Sequence, residues 1–289
     1  MLRQKGQGLL LGICGADRAG THPGRQARSA VLPGIPLVHA CEHRITLVNR
    51  QHRPLGDDIE ARIGDAIGAE LRASGATYTG AVCMNLLRHP AWGRAQETYG
   101  EDPHHVGVMA SAFVAGLQRH VMACMKHFAL NSMENARFTV DVTVDERALH
   151  EVYLPHFERV AADGVASVMS AYNSVNGEWC GQNAHLLTEI LRDEWGWDGF
   201  VTSDFIFGLR DPAASLVAGL DIEMPFRQQR AMALTGALED GTLAQHDVDR
   251  AVERIVATLL RFSEVFERQP PADVIGCDGH RALAREAAA

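Results

Sequence analysis

Lysine is nearly missing from this chain: of 27 basic residues, only Lys5 and Lys126 are lysines. A GC-rich genome would produce that bias, yet Lys126 ends an apolar run, VMACMK. There a compact ammonium that can reach between two hydroxyls differs from the planar fork of arginine. Positive charge is scarce overall, with a net charge of −9 and a pI near 5.8. Such a field disfavours nucleic acid and anionic membrane surfaces and leaves a small molecule as the easier partner. None of the six cysteines (Cys14, Cys41, Cys83, Cys124, Cys180, Cys277) belongs to a C-x-x-C pair. Several sit in apolar runs, where a free thiol behaves as a small hydrophobe, which points to a reducing compartment. No stretch approaches the roughly 18 apolar residues of a membrane span. The opening MLRQKGQGLLLGICG imitates a signal peptide, but its apolar run is too short and Ile13 before Cys14 is a poor cleavage context. A cytoplasmic location is therefore expected. A phosphate-cradling G-x-G-x-x-G or P-loop is also lacking, which argues against nucleotide chemistry.

What is present is an ordinary globular composition, 46% hydrophobic and 22% charged, able to bury a core without disulfides or structural metal. From residue 57 the pattern alternates. Helical spacing over 57–74 (Ile59, Ile63, Ile67, Leu71) precedes a short apolar strand at 81–85, then a helix over 103–117 and a strand at 121–126. A helix over 146–162, despite Pro155, leads to strand 165–170, helix 184–194, strand 200–203, helix 212–218 and strand 220–224. Two further helices, 228–240 and 245–266, break at Gly241. Short continuous apolar strands between amphipathic helices predict an α/β fold with a parallel sheet covered on both faces. Polar residues cluster just past the strands: Asn85, Lys126 with His127, Ser170 with Tyr172, Asp204, and Glu223. That is where a TIM-like (β/α)8 barrel carries its active site. The expected division is an irregular N-terminal part over 1–56, a barrel over 57–266, and a linker plus the start of another domain over 267–289.

Five segments carry more information than any single motif: GRAQETYGEDP (93–103), KHFALNSMENARF (126–138), VDERALHEVYLPHF (144–157), SVMSAYNSVNGEWCGQN (167–183) and WGWDGFVTSDF (195–205). Together, and in this order, they resemble glycoside hydrolase family 3, the β-glucosidase and β-xylosidase family, over roughly residues 57–289. The resemblance implies a TIM-like barrel and retaining hydrolysis of β-glycosidic bonds at non-reducing ends, glucose before xylose. It implies no metal or organic cofactor, and a β-glycoside or oligosaccharide as the partner. A homo-oligomer is left open.

Asp204 in VTSDF then matches the family's nucleophile, the ionised carboxylate that forms a covalent glycosyl-enzyme. From the local sequence alone, a helix N-cap for the following segment is the rival reading. Lys126 and His127 resemble the pair that binds the sugar hydroxyls, Arg94 and Arg137 resemble further hydroxyl ligands, and Tyr172 an aromatic beside the nucleophile. Salt bridges and simple packing are the rival readings for these residues. Glu97, Glu101 and Asp102 read as orienting or helix-starting carboxylates. Glu223 in VAGLDIEMP is a further candidate ligand.

Two departures stand out. The family's early D-G-P-x-G segment has no counterpart in IPLVHACEHRITLVN. Glu42 is the one acidic residue there, and His39 with His43 at i and i+4 makes at most a weak metal pair. The family's general acid/base is a glutamate on a second domain after the barrel, or a His-Asp pair in a K-H-F/I-P-G-H-G loop, and KHFALNSMENARF lacks that loop motif. Retaining chemistry needs two carboxyl groups about 5–5.5 Å apart, and only Asp204 is identified. A catalytically impaired or inert sugar-binding barrel is therefore the alternative reading.

Overall fold

The computed structural model describes residues 56–289; the irregular N-terminal part, with Glu42, His39 and His43, lies outside the described residues. The chain enters helix α1 (Asp57–Ala73) with Asp57, Asp58 and Glu60 in its first turn, where acidic side chains face the positive end of the helix dipole. Helix α2 (Pro103–Leu117) starts behind Asp102, whose carboxylate accepts the His104 N–H at 2.9 Å, with Pro103 in the first turn. The two helices pack closely because Gly64 meets Gly116 at their contact. A methyl group on Gly116 would overlap the Ala61 carbonyl oxygen, and one on Gly64 the Phe113 carbonyl oxygen.

Four strands, β1 (Tyr78–Cys83), β2 (Met122–Phe128), β3 (Ser167–Ser170) and β4 (Phe200–Thr202), pair in that order and all in parallel. Their residues are almost wholly buried, as a sheet with two covered faces requires. Helices α3 (Pro155–Ala162), α4 (His185–Glu194), α5 (Pro212–Val217), α6 (Gln229–Glu239) and α7 (Gln245–Arg261) complete the alternation. The register aligns the strand ends: Cys83 lies beside Lys126, Lys126 beside Met169, and Met169 beside Thr202. A small three-stranded sheet (Asp141–Val142, Ser174–Val175, Glu178–Trp179) stands apart from the main one. No helix among the described residues is long and apolar enough to cross a membrane.

Two expected elements differ. The helix predicted through Pro155 is interrupted: Glu146–Ala148 is α-helical, Leu149–Tyr153 forms wide π-type turns, and Pro155 opens α3 afresh. Proline has no N–H and clashes with the preceding turn, and widening that turn absorbs the misfit. The strand predicted at 220–224 is reduced to one bridge, Thr202 to Ile222. Side chains have taken its ladder partners. The Asp221 carboxylate accepts the Val201 N–H at 2.8 Å, and Arg230 donates to the Leu220 and Asp221 carbonyls at 2.7 and 2.9 Å. At the other end of the chain, helix α8 (Asp278–Glu286) packs on α1. Arg62 grips Glu286 with two bonds of 2.8 Å, and buried Glu70 accepts from Gly276 N and His280 Nδ1 at 2.9 and 2.7 Å.

Two buried titratable groups give the fold a pH window. Glu60 is fully buried beneath the Tyr99 hydroxyl at 2.6 Å, and burial pushes its carboxyl up to about 7 from the usual 4.5. His156 packs on Phe157, and burial pushes it down to about 3 from 6.5. Between pH 4.5 and 7 the folded protein keeps a proton on Glu60 that the unfolded chain releases, so this group lowers stability as pH rises. Between pH 6.5 and 3 the unfolded chain binds a proton that folded His156 refuses, so this group lowers stability as pH falls. Glu60→Gln should flatten the alkaline side and His156→Leu the acidic side, each by on the order of 2–3 kcal/mol. Urea unfolding at pH 4, 5.5 and 8 checks this. A Glu60→Gln profile parallel to the parent between pH 5.5 and 8 would refute the Glu60 assignment.

Candidate active site

Aligned strand ends bring distant polar residues to one rim. Asp204, two residues past β4, is 6% exposed and its Oδ1 accepts the Phe205 N–H at 2.7 Å. Ser203 ties this turn to the next segment: its N–H donates to the Ile222 carbonyl at 2.9 Å, and its hydroxyl accepts the Met224 N–H at 2.9 Å. The chain then folds back so tightly that Gly208 rests on the Asp204 backbone. A Cβ there would lie 2.5–2.9 Å from the Asp204 oxygen, nitrogen and carbonyl carbon. The second carboxylate oxygen, Oδ2, has no hydrogen-bond partner among the described residues and stands 3.6 Å from His127 Nε2. Burial raises the Asp204 carboxyl above the usual aspartate range, and the Phe205 N–H, the neighbouring Tyr172 hydroxyl and then the Lys126 and Arg94 charges act against that rise.

His127, at the end of β2, is held by Asn85 from the end of β1. The Asn85 Oδ1 accepts the His127 backbone N–H at 2.9 Å and faces its Nδ1 at 3.2 Å, while Asn85 Nδ2 donates to the His127 carbonyl at 2.8 Å. On the other side, Arg94 Nη1 lies 2.7 Å from His127 Nε2. An arginine can only donate, so Nε2 accepts and the ring proton sits on Nδ1, toward Asn85. Burial, reinforced by the Arg94 and Lys126 charges, lowers the basicity of this ring well below that of an ordinary histidine, in keeping with a neutral imidazole.

Each arginine has its own carboxylate. Arg94 forms a two-pronged bond with Glu97, at 2.8 and 2.6 Å, which keeps Glu97 ionised although burial works the other way. Arg137 donates to Glu134 at 2.8 Å and stacks over Tyr172 and Phe138, 4.7 and 4.8 Å from the ring centres. Glu134 also accepts the Trp92 indole N–H at 3.2 Å. The Tyr172 hydroxyl donates to the Phe205 carbonyl at 2.7 Å, beside the Asp204 carboxylate. Lys126 lines a cavity of about 250 Å³ together with Glu97 and Phe205.

Six of the seven expected site residues thus gather around one buried carboxylate: Arg94, Lys126, His127, Arg137 and Tyr172 surround Asp204. Glu223 is engaged elsewhere. Its two oxygens accept the Gln229 and Arg230 N–H groups at 2.9 and 3.1 Å, capping α6. Residues not singled out from sequence include Glu134, whose i,i+3 spacing to Arg137 was its only signal, and Gly208, which had none.

The chain matches the glycosyl hydrolase family 3 N terminal domain over residues 52–258. It is 39% identical to thermostable beta-glucosidase B of Acetivibrio thermocellus over 235 residues, 80% of this chain and 31% of that protein. It is 41% identical to a beta-glucosidase of Rhizobium radiobacter over 72% of this chain and 26% of that one. Among solved structures, beta-glucosidase 3B of Thermotoga neapolitana in complex with glucose superposes with a TM-score of 0.77 at 36% identity. That match covers 85% of this chain and 35% of the other. The chain therefore spans about a third of the length of the relatives it matches. With the family's domain matched over most of its length and relatives near 40% identity, this chain belongs to glycosyl hydrolase family 3.

Proposed function

We propose that this chain is the nucleophile-bearing domain of a retaining β-glucosidase, built as a TIM-like (β/α)8 barrel, with Asp204 attacking the anomeric carbon. The observation that carries this reading is the state of the Asp204 carboxylate. One oxygen is fixed by a backbone N–H, and the other is buried and without a hydrogen bond among the described residues. Glu223, by contrast, uses both of its oxygens to cap α6. A nucleophile needs one oxygen oriented and one lone pair unengaged. In this reading Lys126, His127, Arg94 and Arg137 hold the sugar hydroxyls, Tyr172 shapes the wall, and Glu223 is a capping residue. Glucose is the preferred sugar, because several relatives are named beta-glucosidases and a matched structure holds glucose. A β-xyloside is the second choice, given a match to a GH3 exo-beta-xylosidase at 26% identity.

The proton donor for the leaving group lies outside this constellation. Glu97 is held by Arg94 in a two-pronged bond that keeps it ionised and makes it a poor acid, and Glu134 is already bonded to Arg137 and to the Trp92 N–H. In the family resemblance that acid belongs to a second domain. Residues 57–266 are accordingly read as the barrel and 267–289 as the passage out of it. The chain by itself should then accept a glycosyl group from activated donors, whose leaving group needs little protonation, and hydrolyse disaccharides poorly.

Two outcomes follow. Incubation with 2-deoxy-2-fluoro-β-D-glucosyl fluoride should give a covalent adduct on the Asp204 peptide by mass spectrometry, absent in Asp204→Asn. Its rate should fall as pH drops through the raised Asp204 range, because only the carboxylate attacks. A protein that binds glucose yet never acquires the adduct would contradict the nucleophile assignment. Asn85→Ala removes the partners of the His127 backbone and ring and should lower the glycosylation rate about 10–100-fold. If Asn85 acts through His127, the Asn85→Ala/His127→Ala double variant should be no slower than His127→Ala alone; additive losses would refute that coupling.

A further inference from the structure

Glu60 is a buried acid that neither the sugar pocket nor core packing explains. It shares a face of α1 with Ile63 and Ile67 and is 0% exposed, where a glutamate seldom sits without an ionic partner. Its Oε1 accepts the Tyr99 hydroxyl at 2.6 Å, and its Oε2 has no hydrogen-bond partner among the described residues. A buried carboxylate with a single bond is costly, so this geometry suits the neutral acid. Neighbouring elements bring it no countercharge. On α1, Asp57 is exposed one turn earlier, while Arg62 and Glu70 are bonded to Glu286 and His280 of α8. Asp65 faces Arg119 and His120, past the end of α2, and α2 itself carries no titratable side chain after His104 and His105 in its first turn. Asp273, in the short turn over 272–274 that packs on α1, is exposed, and beyond Tyr99 lies Cys83 of β1, its thiol pushed up to about 11 by burial. An apolar side chain would fill the place of Glu60 with no bare oxygen. What a carboxyl adds is a proton that can leave.

Tyr99 belongs to the loop that carries Arg94. Within residues 93–100 only Thr98 and Tyr99 are buried, so these two side chains fasten the loop. The Thr98 hydroxyl donates to the Asn85 carbonyl at 2.6 Å, on the residue that clamps His127, and the Tyr99 hydroxyl ties the loop to α1. Five residues before Tyr99, Arg94 lies 2.7 Å from His127 and forms its two bonds to Glu97. Ionised Glu60 would be a buried anion with one donor. Hydrating that charge requires the contact between α1 and Tyr99 to open, and the loop bearing Arg94 then loses one of its two fastenings.

We propose that Glu60 is a proton-operated anchor: neutral, it holds the Tyr99 loop and Arg94 in place, and on losing its proton it releases them. Glu60 is then a positioning residue whose ionisation weakens sugar binding, a consequence that rests on the reading of the Asp204 pocket as a sugar site. With burial lifting the Glu60 carboxyl to about 7, its neutral fraction falls about tenfold between pH 6 and pH 8, and glucose affinity should fall about tenfold with it. Calorimetric titration of the full chain with glucose at both pH values reads this. Amide hydrogen exchange of the 93–100 peptide, corrected for the intrinsic pH dependence of exchange, reads the loop without any sugar. In the parent, protection of that peptide should be lower at pH 8 than at pH 6. Glu60→Gln keeps a neutral group, so its loop protection and glucose affinity should match at the two pH values. Tyr99→Phe keeps the ring and loses the hydroxyl, and should show the lowered protection already at pH 6. Circular dichroism at both pH values confirms that each protein is folded. Unchanged protection in the parent, or the same change in Glu60→Gln, would overturn the anchor. Full protection of Tyr99→Phe at pH 6 would do so independently. A loop that responds to pH while glucose affinity stays constant would overturn the coupling to the pocket. Glucose that binds at neither pH would overturn the sugar site, and the exchange measurement would still decide the anchor.

Discussion

A buried carboxylate with one unbonded oxygen is the constraint around which the site is built. Removing Asp204 from water without satisfying Oδ2 disfavours its charged form, and the direction of its shift reports that penalty. The charge is tolerated because cations surround it without bonding to it. Lys126 and Arg94 both act on Asp204 through space. Were either to form a direct salt bridge, the unbonded Oδ2 would be engaged. The arginines are kept from doing so by carboxylates of their own, Glu97 for Arg94 and Glu134 for Arg137. The paired carboxylates thus fix the cations at a distance, and the cations supply a field rather than a bond.

His127 is the joint between the two tiers. It touches Arg94 on one side and approaches Asp204 on the other, so its protonation state decides the local charge balance. A protonated ring could not accept from Arg94 at 2.7 Å, and two cations would face each other in a buried place. The Asn85 clamp, with the neighbouring positive charges, selects the neutral tautomer. That clamp exists because β1 and β2 are parallel and in a register that sets Cys83 beside Lys126, bringing the next polar residues of both strands opposite each other. A shift of one residue between these strands would separate Asn85 from His127 and leave two buried polar side chains without partners.

Much of this arrangement was legible from the chain. Short apolar strands ending in polar residues announced a parallel sheet and its functional edge, and the order of KHF, SAYN and VTSDF placed Lys126, His127, Tyr172 and Asp204 on it. What sequence could not convey was who bonds to whom once the ends were aligned. Glu223 carried the same strand-end signature as Asp204, but the chain turns within six residues into α6, and the first-turn N–H groups of that helix captured its carboxylate. The apolar run before it looked like a strand, yet Asp221 and Arg230 took its ladder partners with side chains. Pro155 was the converse case, a local signal outvoted in the sequence reading by a long helical pattern and then obeyed by the fold.

The same pairing that leaves Asp204 half-bonded also limits which neighbouring group can hold a proton. A general acid at the site would have to keep a proton near neutral pH, which calls for burial without a cation at hand. Glu60 shows that the fold can build such an environment, since burial against Tyr99 lifts its carboxyl to about 7. Glu60, however, is locked in the interior between α1 and the Tyr99 loop, away from the rim. At the rim, Glu97 stands against Arg94, which holds its carboxyl below the usual range, and Glu134 is bonded to Arg137. A carboxyl group bonded to Arg94 is held in its charged form, as Glu97 is. Placing the acid on a separate element, brought to the sugar's opposite side and out of reach of Arg94 and Arg137, resolves that conflict.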